Sequence, residues 1–356
     1  MTELQERWDR LAYWIGPYLG AEGAVTITDY GVPDGIGYSA ETLVFTANVP
    51  NAAGDEEPRR LVLRGETPDP PVYPAQVDGI EVEIEIQHRI MSALAAGTAI
   101  PVASIVGADL TDEAIGTPFF VMDFVDGVVP PVDPPYPAGG FFAEATADQR
   151  ATMVGNGLQV MADIHAVDWR ALGLDWLVPD GVEPTLARQL DLWADYAEGE
   201  LRGRVHPDMD RALAILREDL PEPSPPTLCW GDPRLGNIIW QDFACASVTD
   251  WEAAAIAPAE LDLGWWLMFD RSCHEVAGLD RPAGEPTRDE QVALYEQAIG
   301  REVGDTFVYE LLAAYRYSAI VVRVMNRWVE RQMMAPDHDI WLHNPAADCL
   351  HLLLEA

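Results

Sequence analysis

Short runs of β-branched and aromatic residues, separated by turn-forming residues, occupy the first third of the chain. These runs are AVTITDY, ETLVFTANV, RLVLRG and, after Thr117, PFFVMDF. Segments of this length and composition are typical of strands, and the short turns between them favour antiparallel pairing. The pattern predicts a small antiparallel sheet.

Residues 80–95 fit two periods. The isoleucine and valine residues between positions 80 and 86 alternate with glutamates, as they would in a half-buried strand. However, Ile84, Met91 and Leu94 continue a helical stripe over a longer stretch. Because the helical pattern is the longer of the two, a helix is predicted here.

A passage rich in proline and glycine, VDGVVPPVDPPYPAGG, follows the last predicted strand and is typical of an irregular connection. Beyond it the spacing of apolar residues turns helical. The predicted helices cover residues 147–167, 186–204, 209–220, 288–299 and 305–333, and strand-like runs interrupt them at residues 227–250. Tryptophans at helical positions, such as Trp193 and Trp265, are expected to pack between helices. The fold class is therefore predicted to be α+β, with a β-rich N-terminal lobe (residues 1–126) and a larger helical C-terminal lobe (residues 127–356).

The charge balance restricts the class of partner. The chain has 59 acidic residues against 22 basic ones, for a formal charge of -37. This charge repels nucleic acids and anionic membrane surfaces, so neither is expected as a partner. A well-solvated acidic surface is the favoured explanation, although a cationic substrate would also suit it.

The chain contains no lysine, and all 22 basic residues are arginine. A Walker A phosphate-binding loop requires a lysine, and Schiff-base chemistry requires a lysine amine. Both are therefore excluded. Any nucleotide site in this chain has to hold phosphate with arginine, magnesium or backbone amides.

Cysteines and histidines do not form a recognisable metal or disulfide pattern. Cys229, Cys245, Cys273 and Cys349 are scattered without a CxxC pair, and buried free thiols are expected. His165 lies on an apolar helical run and is expected to be a hydrogen-bonded core residue. The chain begins with the charged segment MTELQERWDR and has no apolar run that could cross a bilayer, so a cytoplasmic location is expected.

The strand-like interruption, LCWGDPRLGNIIWQDFACASVTDWE, carries the candidate chemistry. Asp232 and Asn237 stand five residues apart, and the predicted strands NIIW and ACASVT form a hairpin that would return Asp250 to Asn237. The same D-x-x-x-x-N spacing recurs at Asp339 and Asn344 without a hairpin, so the spacing alone is not diagnostic. Phosphoryl transfer uses one carboxylate to accept the proton of the attacking hydroxyl, while an amide oxygen and a second carboxylate hold magnesium.

These residues resemble the aminoglycoside phosphotransferase and choline kinase superfamily, which has a protein-kinase-like fold. The catalytic loop of that family is HGDxxxxN, and a D-W-E-like element follows it; WGDPRLGN and TDWE stand in those places. The resemblance extends over most of the chain, through VLRG, FFVMDFVDG, IHAVDW and APAELDL. It implies transfer of the terminal phosphoryl group of ATP, with Mg²⁺, to a hydroxyl group of a small molecule.

In the C-terminal lobe the resemblance implies a role for each matching residue. Asp232 would be the catalytic base, Asn237 and Asp250 would be the magnesium ligands, and Asp262 would be the buried aspartate that holds the catalytic loop. One position departs from the family pattern, because Trp230 stands where the family usually has histidine. A tryptophan could support the loop by packing.

In the N-terminal lobe the resemblance implies a nucleotide site. The backbone at Asp123 and Val125 would meet the adenine, and Arg64 occupies the place of the lysine that pairs with the phosphates. Arginine keeps the charge and has a fork suited to phosphate. Gln87 stands where the family has the partner glutamate of that lysine, and Glu83, one turn earlier, could replace it.

The passage DGIGYSAE allows two interpretations. Gly35, Gly37 and Ala40 satisfy G-x-G-x-x-A, which is the dinucleotide fingerprint of a Rossmann fold, but that turn must open a helix. Here the strand-like ETLVFTANV follows, which favours a flap over nucleotide phosphates. In that interpretation Gly37, Ser39 and the nearby backbone amides approach the terminal phosphate.

The acceptor is left open. Four acidic residues lie where the resembled family builds its acceptor site: Asp191, Asp195, Glu198 and Glu200. They could bind an aminoglycoside or another amine-bearing acceptor. A solvated helix face is the favoured explanation of these four residues. A catalytically weak or inactive nucleotide-binding module of the same fold is the alternative function, and an NAD-dependent dehydrogenase is a third. The preference between ATP and GTP and the oligomeric state are also open.

Overall fold

A computed structural model of the chain describes residues 3–32, 40–51, 55–80, 83–222 and 224–356. The chain divides into two compact units. The first consists of Met1–Pro71 and Gly79–Asp126, and the second consists of Val72–Asp78 and Gly127–Ala356. The segment Val72–Asp78, which lies inside the predicted N-terminal lobe, thus packs with the second unit.

The first unit contains an antiparallel sheet of five strands in the order β1-β2-β3-β5-β4. The strands are β1 (Thr26–Gly31), β2 (Glu41–Pro50), β3 (Glu56–Gly65), β4 (Ile105–Asp109) and β5 (Phe119–Asp123), and the helices are α1 (Glu3–Ile15) and α2 (Glu83–Gly97). Alternate residues of β2 are buried, as expected for a strand with one covered face. The first core lies against that face, where Trp8 and Leu11 of α1 meet Phe45, Leu61 and Phe119 of the sheet.

The second unit is mainly helical. Its helices are α3 (Gly140–Glu144), α4 (Ala147–His165), α5 (Leu186–Leu201), α6 (Pro207–Glu218), α7 (Glu260–Arg271), α8 (Arg288–Ile299), α9 (Phe307–Glu330) and α10 (Pro345–Leu354). Its strands are β6 (Pro226–Cys229), β7 (Ile238–Gln241), β8 (Ala244–Val248) and β9 (Ala255–Pro258). β6 pairs with β9, and β7 pairs with β8, antiparallel in both cases.

The core of the second unit forms where α7 and α9 cross. Gly264 of α7 allows this close approach, because a Cβ atom at that position would lie 2.4 Å from the backbone carbon of Tyr309. Trp265, Leu312 and Ala313 are buried in the same cluster. α7 therefore sits at the centre of the unit, directly after β9.

The predicted helices are confirmed, with small shifts at their ends. The helix predicted at residues 80–95 is α2, and the predicted strand-like interruption contains β6, β7 and β8. The structure adds α1, α3, α7, α10, β4 and β9, which the sequence pattern did not predict.

None of the helices in the described part of the chain combines the length and the apolar content needed to cross a membrane.

Candidate active site

The loop between β6 and β7 carries the sequence Trp230 to Asn237, and a tight glycine turn opens it. Gly231 has a φ of +94°, and a Cβ atom there would lie 2.1 Å from the backbone oxygen of Ala253. Only glycine adopts this conformation without strain and without that clash. A short 3₁₀ turn, Leu235–Asn237, ends the loop and leads into β7.

Asp262, in the first turn of α7, holds the start of this loop. Its Oδ2 accepts a hydrogen bond from the backbone N–H of Trp230 at 2.6 Å, and its Oδ1 accepts one from Gly231 at 3.0 Å. Nε2 of His165 lies 3.1 Å from Oδ2, and Nδ1 of the same ring lies 2.6 Å from the hydroxyl of Tyr295. The carboxylate is fully buried, so these bonds fix the loop against the centre of the second unit. His165 is a buried, hydrogen-bonded residue, as expected.

Asp232 is buried, with 6% of its surface exposed, and three side chains donate hydrogen bonds to its carboxylate. Trp265 Nε1 lies 2.6 Å from Oδ1, Asn237 Nδ2 lies 2.7 Å from Oδ2, and Arg234 Nε lies 3.2 and 3.3 Å from the two oxygens. Burial raises the pKa of Asp232, Arg234 opposes that rise, and the charge of Asp250 adds to it. The net direction is upward, which brings this carboxyl group closer to the range useful for a general base.

The hairpin brings Asp250 back to the loop. The backbone oxygen of Asn237 accepts hydrogen bonds from the backbone N–H of Thr249 at 2.9 Å and from its hydroxyl at 3.0 Å. Asp250 follows with a φ of +57°, a conformation uncommon for residues other than glycine. Its charge is close enough to Asp232 to affect the pKa of that group. The hairpin therefore returns Asp250 towards Asn237, as the sequence predicted.

Trp230 ties the loop to the end of β8. Its side chain is fully buried, and its indole N–H donates a hydrogen bond of 2.7 Å to the backbone oxygen of Thr249. The ring also lies 6.1 Å from the ring of Trp251. The tryptophan at this position therefore supports the residue before Asp250 by a hydrogen bond as well as by packing.

Asn237 and Asp250 offer ligand atoms that suit magnesium. Nδ2 of Asn237 donates to the backbone oxygen of Asp232 at 3.0 Å as well as to its carboxylate, so the amide nitrogen is committed. Among the described residues, none donates a hydrogen bond to Oδ1 of Asn237. That amide oxygen and the nearby carboxylate of Asp250 are hard donors of the kind that Mg²⁺ prefers, and the two residues fit the ion.

In the first unit, Arg64 lies on β3 and contacts two neighbouring elements. Its Nη1 donates to the hydroxyl of Thr42 at 2.7 Å, and its Nη2 donates to Oε1 of Gln87 on α2 at 3.3 Å. Gln87, at the position of the family's partner glutamate, thus contacts Arg64 through a neutral amide.

Asp123 ends β5, and its backbone N–H is already bonded to the oxygen of Ser104 at 2.9 Å. Its carboxylate accepts a hydrogen bond of 2.9 Å from Nε of Arg59. A contact between adenine and the backbone of Asp123 would therefore have to use the carbonyl oxygen, while Val125 follows beyond the strand. The adenine contacts of these two residues stay a prediction.

The predicted phosphate flap is only partly described. Gly37 and Ser39 lie outside the described residues, and their role stays a prediction. The strand β2 begins at Glu41, directly after the glycine-containing passage, and pairs antiparallel with β3. A Rossmann turn would open a helix at this point, so the interpretation as a dinucleotide fingerprint is wrong.

Three residues near Asp232 were missed by the sequence analysis as site residues. Arg234 and Trp265 donate to the carboxylate, and Arg316 of α9 donates from Nη2 to the backbone oxygen of Gly231 at 3.1 Å. Arg316 is fully buried between the rings of Trp193 and Trp265, at 4.9 and 4.7 Å. The only sequence signal for Arg316 is an arginine within an apolar helical run, and Trp265 was expected only to pack.

The chain was also compared with known proteins. The model of a family described as "Phosphotransferase enzyme family" matches residues 52–310 of the chain. Acyl-CoA dehydrogenase family member 10 of Mus musculus is 29% identical over 184 residues, which are 51% of this chain and 16% of that protein. The chain therefore corresponds to a minor part of that relative's length.

Two solved structures share the fold. A candidate aminoglycoside phosphotransferase from Ralstonia eutropha is 23% identical, with 98% of each chain covered and a TM-score of 0.72. A thermostable mutant of aminoglycoside phosphotransferase APH(4)-Ia, in a ternary complex with AMP-PNP and hygromycin B, is 13% identical, with 94% of this chain and 96% of that chain covered and a TM-score of 0.58. The predicted α+β, protein-kinase-like fold is confirmed.

Proposed function

Since the chain belongs to the phosphotransferase enzyme family, we propose that it transfers the terminal phosphoryl group of ATP to a hydroxyl group of a small molecule. The observation that carries this proposal is the buried carboxylate of Asp232, which three donors hold beside Asn237 and Asp250. The nucleotide is proposed by analogy, because a structural neighbour binds AMP-PNP, an ATP analogue.

Asp232 is proposed to orient the acceptor and to take its proton. The bonds from Trp265 and Asn237 hold one oxygen each, so the carboxylate keeps one orientation as the hydroxyl approaches. The acceptor oxygen forms a bond to the terminal phosphorus while the bond from that phosphorus to the bridging oxygen breaks. The products are ADP and a phosphate ester, and the proton of the hydroxyl passes to Asp232 and then to water.

Asn237 and Asp250 are proposed to hold Mg²⁺ through the amide oxygen and the carboxylate. When bound, the ion would neutralise charge on the nucleotide phosphates. Arg64 is proposed to add positive charge at the phosphates, with Gly37 and Ser39 approaching the terminal one. Two further residues, Asp123 through its carbonyl oxygen and Val125 through its backbone, are proposed to contact the adenine.

The experiment that tests this function is a search for acceptor-dependent turnover. Purified protein with Mg²⁺ and ATP is mixed with a panel of alcohols, amino alcohols, hydroxy acids, hydroxyacyl compounds, aminoglycosides and macrolides. We expect at least one compound to produce ADP together with a phosphate ester, which ³¹P NMR and mass spectrometry identify. GTP in place of ATP reveals the nucleotide preference.

One observation favours a second candidate, a nucleotide-binding module with weak or no catalysis. Arg64 and Gln87 stand where the resembled family has a lysine and a glutamate. Magnesium-dependent binding of ATP, seen as a thermal shift, without transfer to any acceptor would favour this candidate. A thermal shift with NADH but none with magnesium and ATP would contradict both.

A further inference from the structure

An aromatic cluster lies next to Asp232 in the second unit. It consists of Trp265 and Phe269 of α7 and Tyr317 of α9, and we call these three residues the aromatic patch. The rings of Phe269 and Tyr317 are 5.0 Å apart, and Trp265 lies 5.3 Å from Phe269 and 6.2 Å from Tyr317. Trp265 is buried, whereas Phe269 and Tyr317 are half-buried and present part of their surfaces to solvent.

Direct contacts connect the aromatic patch to the proposed catalytic base. The indole N–H of Trp265 donates a hydrogen bond to Asp232, so this buried ring of the patch also holds the carboxylate in place. The guanidinium carbon of Arg234 lies 5.5 Å from the ring centre of Phe269 while its Nε contacts the same carboxylate. A molecule resting on Phe269 and Tyr317 would therefore lie within reach of Asp232.

The backbone beside the patch is unusual. α7 ends at Arg271, and a π-helical turn, Ser272–Val276, continues it. Such wide turns are rare and often occur at functional sites. The turn carries the half-buried Cys273, and burial raises the pKa of its thiol to about 12, so the thiol is neutral near pH 7. Burial likewise raises the pKa of Tyr317 to about 12, against the opposing charge of Arg234.

The acidic groups of α5 and the carboxylate of Asp270 on α7 face away from the patch or are already paired. On α5, Asp191, Asp195 and Glu198 are exposed, on the side opposite Trp193, which packs against Arg316. On α7, the carboxylate of Asp270 accepts a hydrogen bond of 2.9 Å from Arg281. The exposed α5 carboxylates agree with the solvated helix face that the sequence favoured over an amine site.

We propose that the aromatic patch binds the body of the acceptor, and that the acceptor is a hydroxyl compound with an apolar or aromatic body. This inference rests on the proposed function, because it places the acceptor by its distance from Asp232. An apolar body gains from burial against two partly exposed rings.

A matched pair of probes tests the inference. The first is 3-phenylpropan-1-ol, and the second is phenylalaninol, which has the same body with an added ammonium group next to the hydroxyl carbon. Choline and kanamycin serve as amine-bearing references. Binding is measured by ligand-observed NMR, and turnover is measured by ADP release, for the wild type, Phe269→Ala and Phe269→Leu.

We expect 3-phenylpropan-1-ol and phenylalaninol, which share the same apolar body, to bind more tightly than choline and kanamycin. Phe269→Ala should weaken the binding of 3-phenylpropan-1-ol by about tenfold with little change in the KM for ATP. Phe269→Leu keeps apolar bulk, so its affinity for this alcohol should lie between those of the wild type and Phe269→Ala, and its melting temperature shows whether α7 remains intact. Tighter binding of choline or kanamycin than of 3-phenylpropan-1-ol would overturn the inference.

The same measurements separate this inference from the proposed function. Turnover of choline or kanamycin alone would leave the phosphotransferase proposal intact and overturn the apolar acceptor. Saturable binding of 3-phenylpropan-1-ol that Phe269→Ala weakens, without turnover of any probe, would support the patch as a binding surface and count against the phosphotransferase proposal. Equal binding of this alcohol to the wild type and to Phe269→Ala would overturn the patch.

Discussion

The chain contains the spacing D-x-x-x-x-N twice, and the two copies have opposite surroundings. Asp232 and Asn237 are both buried, and the amide nitrogen of the asparagine donates to the aspartate. In the second copy, 71% of the side-chain surface of Asp339 is exposed. The exposed rings of His338 and His343 lie 3.8 and 3.9 Å from the carboxylate of Asp339.

Asn344 serves the helix that follows it. Its Oδ1 accepts hydrogen bonds from the backbone N–H groups of Ala346 and Ala347, at 2.9 and 3.1 Å, and its Nδ2 donates to the oxygen of Ile340. This is the N-cap of α10, and it uses the amide oxygen, the atom that in Asn237 is proposed to bind Mg²⁺. The same spacing thus produces a proposed catalytic pair in one place and a helix cap in the other.

The difference teaches that the chemistry of an aspartate depends on the groups that reach it from elsewhere in the chain. Asp232 is held by Trp265 and its loop by Asp262, both more than 25 residues later. Asp339 has neither burial nor such donors among the described residues. Because the carboxylate of Asp232 is buried away from water, each hydrogen bond to it is stronger and the pKa of Asp232 is more sensitive to neighbouring charges.

Substitution of the aspartate should affect kcat very differently in the two copies of the spacing, and this is the largest effect expected. Asp232→Asn removes the proton acceptor and should lower kcat by about 10²- to 10⁴-fold, the usual contribution of a general base. Asp339→Asn is the matched control, and its kcat should equal that of the wild type. Steady-state ADP release measures both, and ATP binding to Asp232→Asn, followed by titration, should persist. Similar losses in the two variants would break the distinction.

Substitutions of the two asparagines, Asn237 and Asn344, should affect different properties of the protein. Asn237→Ala removes a proposed magnesium ligand and should raise the Mg²⁺ concentration needed for half-maximal activity by about 10- to 100-fold. Asn344→Ala should leave the Mg²⁺ requirement unchanged and lower the free energy of unfolding by about 1 kcal/mol, because a helix cap is lost. A magnesium titration of activity and a urea unfolding curve measure the two effects. A normal Mg²⁺ requirement in Asn237→Ala would contradict the metal assignment.

The smallest expected effect is a shift in pH dependence. The active form of Asp232 is the ionised one, so activity should fall as the pH drops through its raised pKa. Arg234→Gln removes the positive charge that opposes this rise, so the pKa should increase further and the acid limb of kcat/KM should move to higher pH. Arg234→Lys keeps a positive charge and should shift the limb less. A limb that moves to lower pH in Arg234→Gln would show that Asp232 is not the titrating group.

The sequence predicted most of the helices because their apolar residues form stripes with the helical period. α8 was placed at residues 288–299, where the structure has it. α7 was missed because all of its residues except Phe269 and Arg271 are buried, so it has no polar face to create a periodic contrast. β9 was missed for a related reason, since all four of its residues are buried and the run is short.

Within the candidate site, residues close to the motif were predictable and their supports were not. Trp265 was expected to pack between helices, yet its indole N–H reaches the carboxylate of Asp232. Trp230 was expected to act by packing, and it also bonds the oxygen of Thr249, 19 residues further along. The contact of Trp265 depends on how β9 and α7 return the chain to the loop, and local composition carries no information about that path. The contact of Trp230 depends on how the loop lies beside the end of the β7–β8 hairpin.

The sequence by itself limited the chemistry that can be proposed for the chain. The absence of lysine leaves phosphate binding to arginine, magnesium and backbone amides, and the segment from Trp230 to Glu252 contains the residues proposed as the base and the two oxygen ligands. The tertiary structure alone decided which D-x-x-x-x-N pair is buried and which one caps a helix. The reason is physical, because burial, donor geometry and neighbouring charge arise from residues distant in sequence, and these set the ionisation and orientation of Asp232.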